Sequence, residues 1–355
     1  MPLRHRAAFN VLFVLQHWLR NSQALRRRKA AARARIVAHV RRGGPGKIVP
    51  VERRTDLTPR EFRARYLRRG IPVILEGGAR EWPCVREWSF ASFRQRFGRE
   101  TVKFVRRPGA PDDDGSAGAQ GYCEESFGEF LDGALSGSGG KYLRSPLLEK
   151  FPELRQDFDQ GFLRDMPGST MGVTYQLFIG GRGTATPLHN AITPCFFVNT
   201  CGIKRWHFIP GDYLAVLDPS PDGLPYNHSA ADLGFANLDR YPGLDCIDRL
   251  EAVMQPGDIL FHPSWMWHAV QNESPTIGVR YGFVYPPGML AEAPALTFIR
   301  AFAGNPSMLK TAWYSFFNTD LPDRETLLDT PKVFAPGAAP HRRAPADDEA
   351  VDPTR

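Results

Sequence analysis

A chain of 355 residues, 42% hydrophobic and 23% charged, can bury a substantial core as one large domain or as a domain with appendages. Its five cysteines, Cys84, Cys123, Cys195, Cys201 and Cys246, have neither paired metal spacing nor the density of a secreted disulfide scaffold, which excludes both and predicts free thiols in a reducing compartment. The formal charge of +7 is uneven: residues 1–45 hold eleven Lys or Arg and no Asp or Glu, leaving 34 basic against 38 acidic residues elsewhere.

The stretch Ala7 to Leu19 is apolar but broken by Asn10, Gln16 and His17, too short and polar to span a bilayer. It lacks a secretory cleavage site, so the expected location is cytoplasmic, with an organellar leader as the alternative for a eukaryotic source. Arg26 to Arg35 is rich in alanine and arginine and predicts a helix. Such a basic segment suits an acidic partner, an anionic membrane surface or nucleic acid, or is a solvated or disordered extension. Thr58-Pro59-Arg60-Glu61 supplies a capping threonine, proline at the first helical position and glutamate at the third, predicting a helix to about Arg69 that stops at Gly70. Trp88 to Phe97 predicts a second. Residues 108–121 and 135–140 are Gly-, Asp- and Ser-rich loops, and Asp112-Asp113-Asp114 lacks calcium-loop spacing.

Strand-and-turn patterning dominates from there, in keeping with 33 glycines and 31 prolines. In an extended Thr184–Ala191, residues 189 and 191 share a face, so His189 and a carboxylate at 191 would both reach one metal ion. The chain has Ala191 there. Phe196 to Pro210 reads as two strands joined at Cys201-Gly202, the second returning antiparallel beside the first. Lys204 then points inward with Trp206 and Phe208, where an unpaired ammonium is costly and a bound dicarboxylate would neutralise it. Cys195 has the parity of Ala191 and lines the pocket or the core. A polar insert between Pro219 and Pro242 carries Tyr226, His228, Asp232, Asp239 and Arg240. Pro256-Gly257-Asp258 is a turn leading into an apolar strand with His262 and His268; taken alone, His268 reads first as a core histidine with satisfied hydrogen bonds. Arg280, on the next strand pattern, either holds a carboxylate of substrate or cosubstrate or makes a barrel-edge ion pair. Leu290 to Phe317 is helical and apolar with a break at Gly304-Asn305-Pro306, and the chain from about Thr330 is expected to be disordered.

These motifs carry a family resemblance. Gly183 to His189 (Gly-x-x-Thr-Pro-x-His), Gly257 to His268 (Gly-Asp-x-Leu-Phe-x-Pro-x-x-x-Trp-His) and, more loosely, Gly70 to Gly77 with Glu81-Trp82-Pro83 resemble the JmjC-type, cupin-like Fe(II)- and 2-oxoglutarate-dependent oxygenases. The resemblance implies a mainly β fold with flanking helices, a double-stranded β-helix (jelly-roll, cupin/JmjC barrel). It implies that His189 and His268 ligate Fe(II), that Lys204 pairs with the distal carboxylate of 2-oxoglutarate, and that Thr186 hydrogen-bonds the same cosubstrate. C-terminal helices in similar proteins imply a homodimer.

The missing carboxylate at Ala191 leaves three readings. Chloride fills the vacated position, as the resemblance to 2-oxoglutarate halogenases implies; water or another side chain (Asn190, Thr193 or His262) fills it in a hydroxylase or demethylase; or the barrel is a noncatalytic binding protein. The halogenase is the leading expectation, acting on a small-molecule, carrier-bound or peptide substrate. The layout expected is a basic extension over 1–45, a JmjC/cupin-like domain over 46–287, a helical region over 288–329 and a tail over 330–355.

Overall fold

The computed structural model describes residues 3–106, 123–137, 140–168, 172–219 and 228–302. Asp112 to Asp114, Tyr226, the part of the apolar C-terminal segment beyond residue 302 and the expected tail lie outside the described residues. Two helices open the chain, α1 (Leu3–Trp18) and α2 (Gln23–Arg41), the second capped by Ser22, whose hydroxyl accepts from Leu25 N at 3.3 Å. Strands β1 (Ile48–Pro50), β2 (Arg53–Arg54) and β3 (Val73–Leu75) alternate with short helices: α3 (Pro59–Phe62), α4 (Pro83–Arg86) and α5 (Phe90–Phe97). Then come β4 (Thr101–Arg106), β5 (Cys123–Ser126), α6 (Phe127–Ser136), β6 (Lys141–Ser145), α7 (Leu147–Lys150) and α8 (Gln160–Asp165). The barrel strands follow: β7 (Thr174–Gly180), β8 (Ala185–His189), β9 (Cys195–Cys201), β10 (Lys204–Ile209), then α9 (Leu214–Leu217), β11 (Arg249–Met254), β12 (Ile259–His262), β13 (Trp267–Asn272) and β14 (Thr276–Gly282). The chain returns to helix in α10 (Pro286–Glu292) and α11 (Pro294–Phe302).

Local chemistry sets several of these boundaries. Thr58 accepts from Glu61 N at 3.2 Å, a cap worth about 1 kcal/mol, and Gly70 at φ 61° ends the helix after a π-helical turn over Arg63–Leu67. Ser89 caps α5, which starts two residues after the Trp88 expected from sequence and ends at Phe97 as expected. The C-terminal helix has a break at Ala293 that the sequence reading did not expect, because Pro294 restricts the residue before it, and the expected break at Gly304-Asn305-Pro306 lies outside the described residues.

Among the described residues the strands form two sheets, five-stranded in the order β1-β11-β10-β13-β8 and nine-stranded in the order β2-β3-β12-β9-β14-β7-β6-β4-β5. This is the expected mainly β double-stranded helix with flanking helices. Side-chain alternation sorts its apolar residues into three layers. Trp206, Phe208, Met254 and Val270 from one sheet meet Ile74, Phe197 and Leu260 from the other inside the barrel. Phe196, Val198, Phe261 and Val279 face outward under Phe62, Phe93 and Phe127. Leu188, Ile209 and Trp267, on the other outer face, are covered by Phe9 and Phe13 of α1, Ile36 of α2 and Leu296 of α11. Each such side chain contributes roughly 1.5–3 kcal/mol on burial, so the basic N-terminal segment is part of the wall of the fold. No helix among the described residues is long and apolar enough to cross a membrane.

The Cys201-Gly202 turn corrects the hairpin expected from sequence. Strands β9 and β10 do not pair; β9 lies between β12 and β14 in one sheet, β10 between β11 and β13 in the other. The turn crosses between sheets and is held against a second crossing turn: Ile203 N donates to Ser274 Oγ at 2.8 Å and Glu273 N to Ile203 O at 2.9 Å. Gly202 sits at φ 76°, and a Cβ there would lie 2.0 Å from Pro275 O. Gly202→Ala is expected to cost at least about 2 kcal/mol, read as a lower thermal midpoint; an unchanged midpoint would show that the paired crossings yield freely.

Candidate active site

Three adjacent strands present the predicted groups to the barrel interior. Phe208 on β10 stands opposite His268 on β13, which stands opposite His189 on β8. The next inward row is Trp206, Val270 and Thr186, and the one after it is Lys204 and Asn272. Residues 186 and 189 would face opposite ways in a regular strand. Between these rows β13 advances two residues and β8 three, a bulge that takes up one extra residue and returns both Thr186 and His189 to the inner face. Pro187, which has no N–H to give to a ladder, lies within it.

The two histidines share an internal pattern. His189 Nδ1 contacts Pro187 O at 2.8 Å and His268 Nδ1 contacts Met266 O at 3.1 Å. A carbonyl oxygen only accepts, so each Nδ1 carries the proton and each ring has its lone pair on Nε2. The ring centroids are 4.0 Å apart. His268 Nδ1 also lies 2.8 Å from His262 Nε2, so His262 accepts from His268 and its own Nδ1–H is buried without a partner. Burial pushes His268 down to about 4 and His262 well below the ordinary histidine range, so both are neutral imidazoles near neutral pH.

The far end of the site is cationic. Lys204 is 1% exposed, its amine lies over the Phe197 ring at 5.1 Å, and burial alone pushes it down to about 7. No carboxylate among the described residues pairs with it. Trp206 Nε1 is a second buried donor without a partner. Arg280, inward on β14 opposite Phe197, donates to Thr193 Oγ1 and, at 3.3 Å, to Thr174 Oγ1, and its charge helps lower both His262 and His268. The barrel-edge ion pair weighed for Arg280 does not form among the described residues. Cys195 is buried opposite His262, with its thiol pushed up by burial.

Around Ala191 the sequence reading needs correction. Strand β8 ends at His189, so the alternation expected to carry residue 191 onto the same face does not extend to it. Ala191 is instead pinned through its carbonyl, which accepts from Trp265 N at 2.7 Å, and Trp265 holds a strained φ of 57° while wholly buried. Thr193, a candidate substitute ligand, is taken by Arg280, and Asn190 is fully buried. His262 backs His268 rather than standing beside it. The sequence reading missed the place of His228: the insert brings it into an isolated antiparallel bridge with His189, rings stacked at 5.5 Å. Nothing in its spacing signals that contact. Among the described residues no group of three His, Cys, Asp or Glu side chains has metal-holding geometry.

A family profile described as a cupin-like domain matches residues 59–287. The chain belongs to the JmjC-type, cupin-like family. Among the curated relatives of this cupin-like protein are lysine-specific demethylase 8 of Xenopus tropicalis, 27% identical over 214 residues (59% of this chain, 47% of that protein), and the 2-oxoglutarate and iron-dependent oxygenase JMJD4 of Mus musculus, 32% identical over 111 residues (30% and 26%). Arginine-specific demethylase JMJ20 of Arabidopsis thaliana is 30% identical over 115 residues (30% and 23%). The cupin-like chain spans about half the length of the first of these. Its donor set fits a dianion at Lys204 and a divalent ion held by two imidazoles, and among the described residues no carboxylate supplies a third ligand.

Proposed function

We propose that this protein is a non-haem Fe(II)- and 2-oxoglutarate-dependent oxidoreductase. The observation that carries the reading is a buried, unpaired lysine on the same inner face as a cross-strand histidine pair. His189 and His268 would hold Fe(II) through Nε2, each fixed by its bond to a backbone carbonyl. Lys204 would bind the distal carboxylate of 2-oxoglutarate, with Thr186 on the neighbouring row donating to the same molecule. Iron with 2-oxoglutarate and dioxygen supplies an oxidant able to remove hydrogen from a substrate C–H bond. The names of the relatives support a peptide or protein side chain as the substrate, and the oxygenase reading accommodates hydroxylation or demethylation.

A finer reading, halogenation, draws on the charge of the pocket. Its inner face carries Lys204 and Arg280, and no carboxylate contributes to the environment of Lys204, His262 or His268. An exogenous anion such as chloride would complete the ligand set in place of the carboxylate that the resemblance leads one to expect at residue 191. An anaerobic titration with Fe(II) and 2-oxoglutarate tests both levels. The expected result is a visible metal-to-ligand charge-transfer band that is lost in His268→Ala. A band that shifts with chloride supports the halide position; a band indifferent to chloride leaves the hydroxylase or demethylase; the absence of any band in the unmutated protein sinks the oxygenase reading in favour of a binding module.

A further inference from the structure

Helix α1 is apolar on two opposite sides. One side places Phe9 and Phe13 in the cluster against the barrel. The other carries Val11, Leu15 and Trp18, spaced four and three residues apart along one stripe, with Leu3 and Leu19 at its ends, all exposed. An apolar helix surface of this kind belongs against something. The stripe continues onto the C-terminal helices: Trp18 packs edge-on to Phe298 at 5.9 Å, and Phe298 lies 5.0 Å from Phe302. With Leu290, these account for eight of the twelve large apolar side chains exposed among the described residues, so the patch is a concentrated feature rather than ordinary surface.

Exposed basic residues follow this stripe along the chain. Arg20 lies in the turn between α1 and α2, and Arg26, Arg27 and Arg28 follow in the first turns of α2, all exposed. Lys29 and Arg33 are committed to the fold through Asp218, at 3.2 and 3.5 Å. Arg27 and Arg28 form no ion pair among the described residues, and residues 1–45 contain no acid.

We propose that this face docks on an anionic lipid surface, with Val11, Leu15, Trp18 and Phe298 entering the headgroup region and Arg27 and Arg28 meeting lipid phosphates. A second copy of the chain fits the face poorly: a two-fold axis through α1 would set one basic segment against another, and residues 1–45 hold no acid to pair with either. Nucleic acid would satisfy the arginines and leave the apolar stripe in water. Because no described helix is long and apolar enough to cross a bilayer, the contact is interfacial.

The test is cosedimentation of the full chain with vesicles of phosphatidylcholine alone or with about one-third phosphatidylglycerol. The expected result is binding at least about tenfold tighter to the anionic vesicles, weakening as salt is raised. Two double variants should each reduce that binding about tenfold or more: Leu15→Glu with Phe298→Glu, and Arg27→Glu with Arg28→Glu. All four side chains are exposed, and a circular dichroism melt checks that each variant folds; if the first pair fails that check, the second decides. No binding to anionic vesicles overturns the proposal, as does binding indifferent to a folded variant pair. A dimer in sedimentation velocity that the apolar pair dissociates would also overturn it, by identifying a second copy as the occupant.

Discussion

Replacing Lys204 with methionine is expected to raise the thermal midpoint of the ligand-free protein while abolishing 2-oxoglutarate binding. The amine is enclosed by Phe197 and the barrel interior, and burial alone moves it from 10.5 down to about 7. The folded-state value is depressed for a base, so between about 7 and 10.5 the unfolded chain binds a proton that the folded chain does not. Unfolding free energy therefore rises with pH across that window, and below it the fold carries the full cost of a buried ammonium. Methionine keeps the stem and removes the charge, a gain on the order of a few kcal/mol near pH 7, and the pH slope goes with it. A dianion bound beside Lys204 reverses the effect by favouring the ammonium, so 2-oxoglutarate should stabilise the parent protein and not the variant. Thermal melts at neutral and alkaline pH, with and without 2-oxoglutarate, read all of this. A methionine variant that melts lower, or that still binds the oxo acid, would remove Lys204 from the site.

Ala191→Asp is expected to strengthen Fe(II) binding by at least about tenfold and to abolish any chloride dependence. Loss of even an outer partner of a metal ligand costs roughly 10- to 100-fold in affinity, so gain of a direct carboxylate ligand should exceed the lower figure. A carboxylate that reaches the metal position would meet the charge of Arg280, which acts on both His262 and His268, and no acid among the described residues contributes there, which favours the ionised form. The readouts are iron affinity by anaerobic titration with and without chloride, and product analysis once a substrate is found. If the chloride response survives the substitution, the vacant position is not at residue 191.

The site was legible in the sequence where a short-range rule applied. Alternation along β10 put Lys204, Trp206 and Phe208 on one face, and the strand carrying His268 followed from the Pro-Gly-Asp turn and its apolar run. The rules gave out where partners are chosen over long distances. Strands β9 and β10 flank the Cys201-Gly202 turn, and nothing in their residues says whether that turn folds one sheet back or crosses to the other. His228 reaches His189 from an insert 39 residues away in the sequence, and His262 meets His268 because β12 and β13 lie in opposite sheets that close over the same interior. The N-terminal helices read as an appendage because arginine and alanine dominate α2. Phe9, Phe13 and Ile36, fully buried against the barrel, show otherwise.

The extra residue in β8 has a consequence for sequence length rather than sequence identity. Thr186 and His189 occupy the same face only because three residues of one strand span two of its neighbour. Deleting Pro187 or Leu188 would leave Thr186 and His189 two residues apart, the spacing of their partners Val270 and His268, so a regular ladder without the bulge would still hold both on the inner face. Length in this strand is therefore negotiable by one residue in that direction, whereas the identities of Thr186 and His189 are not.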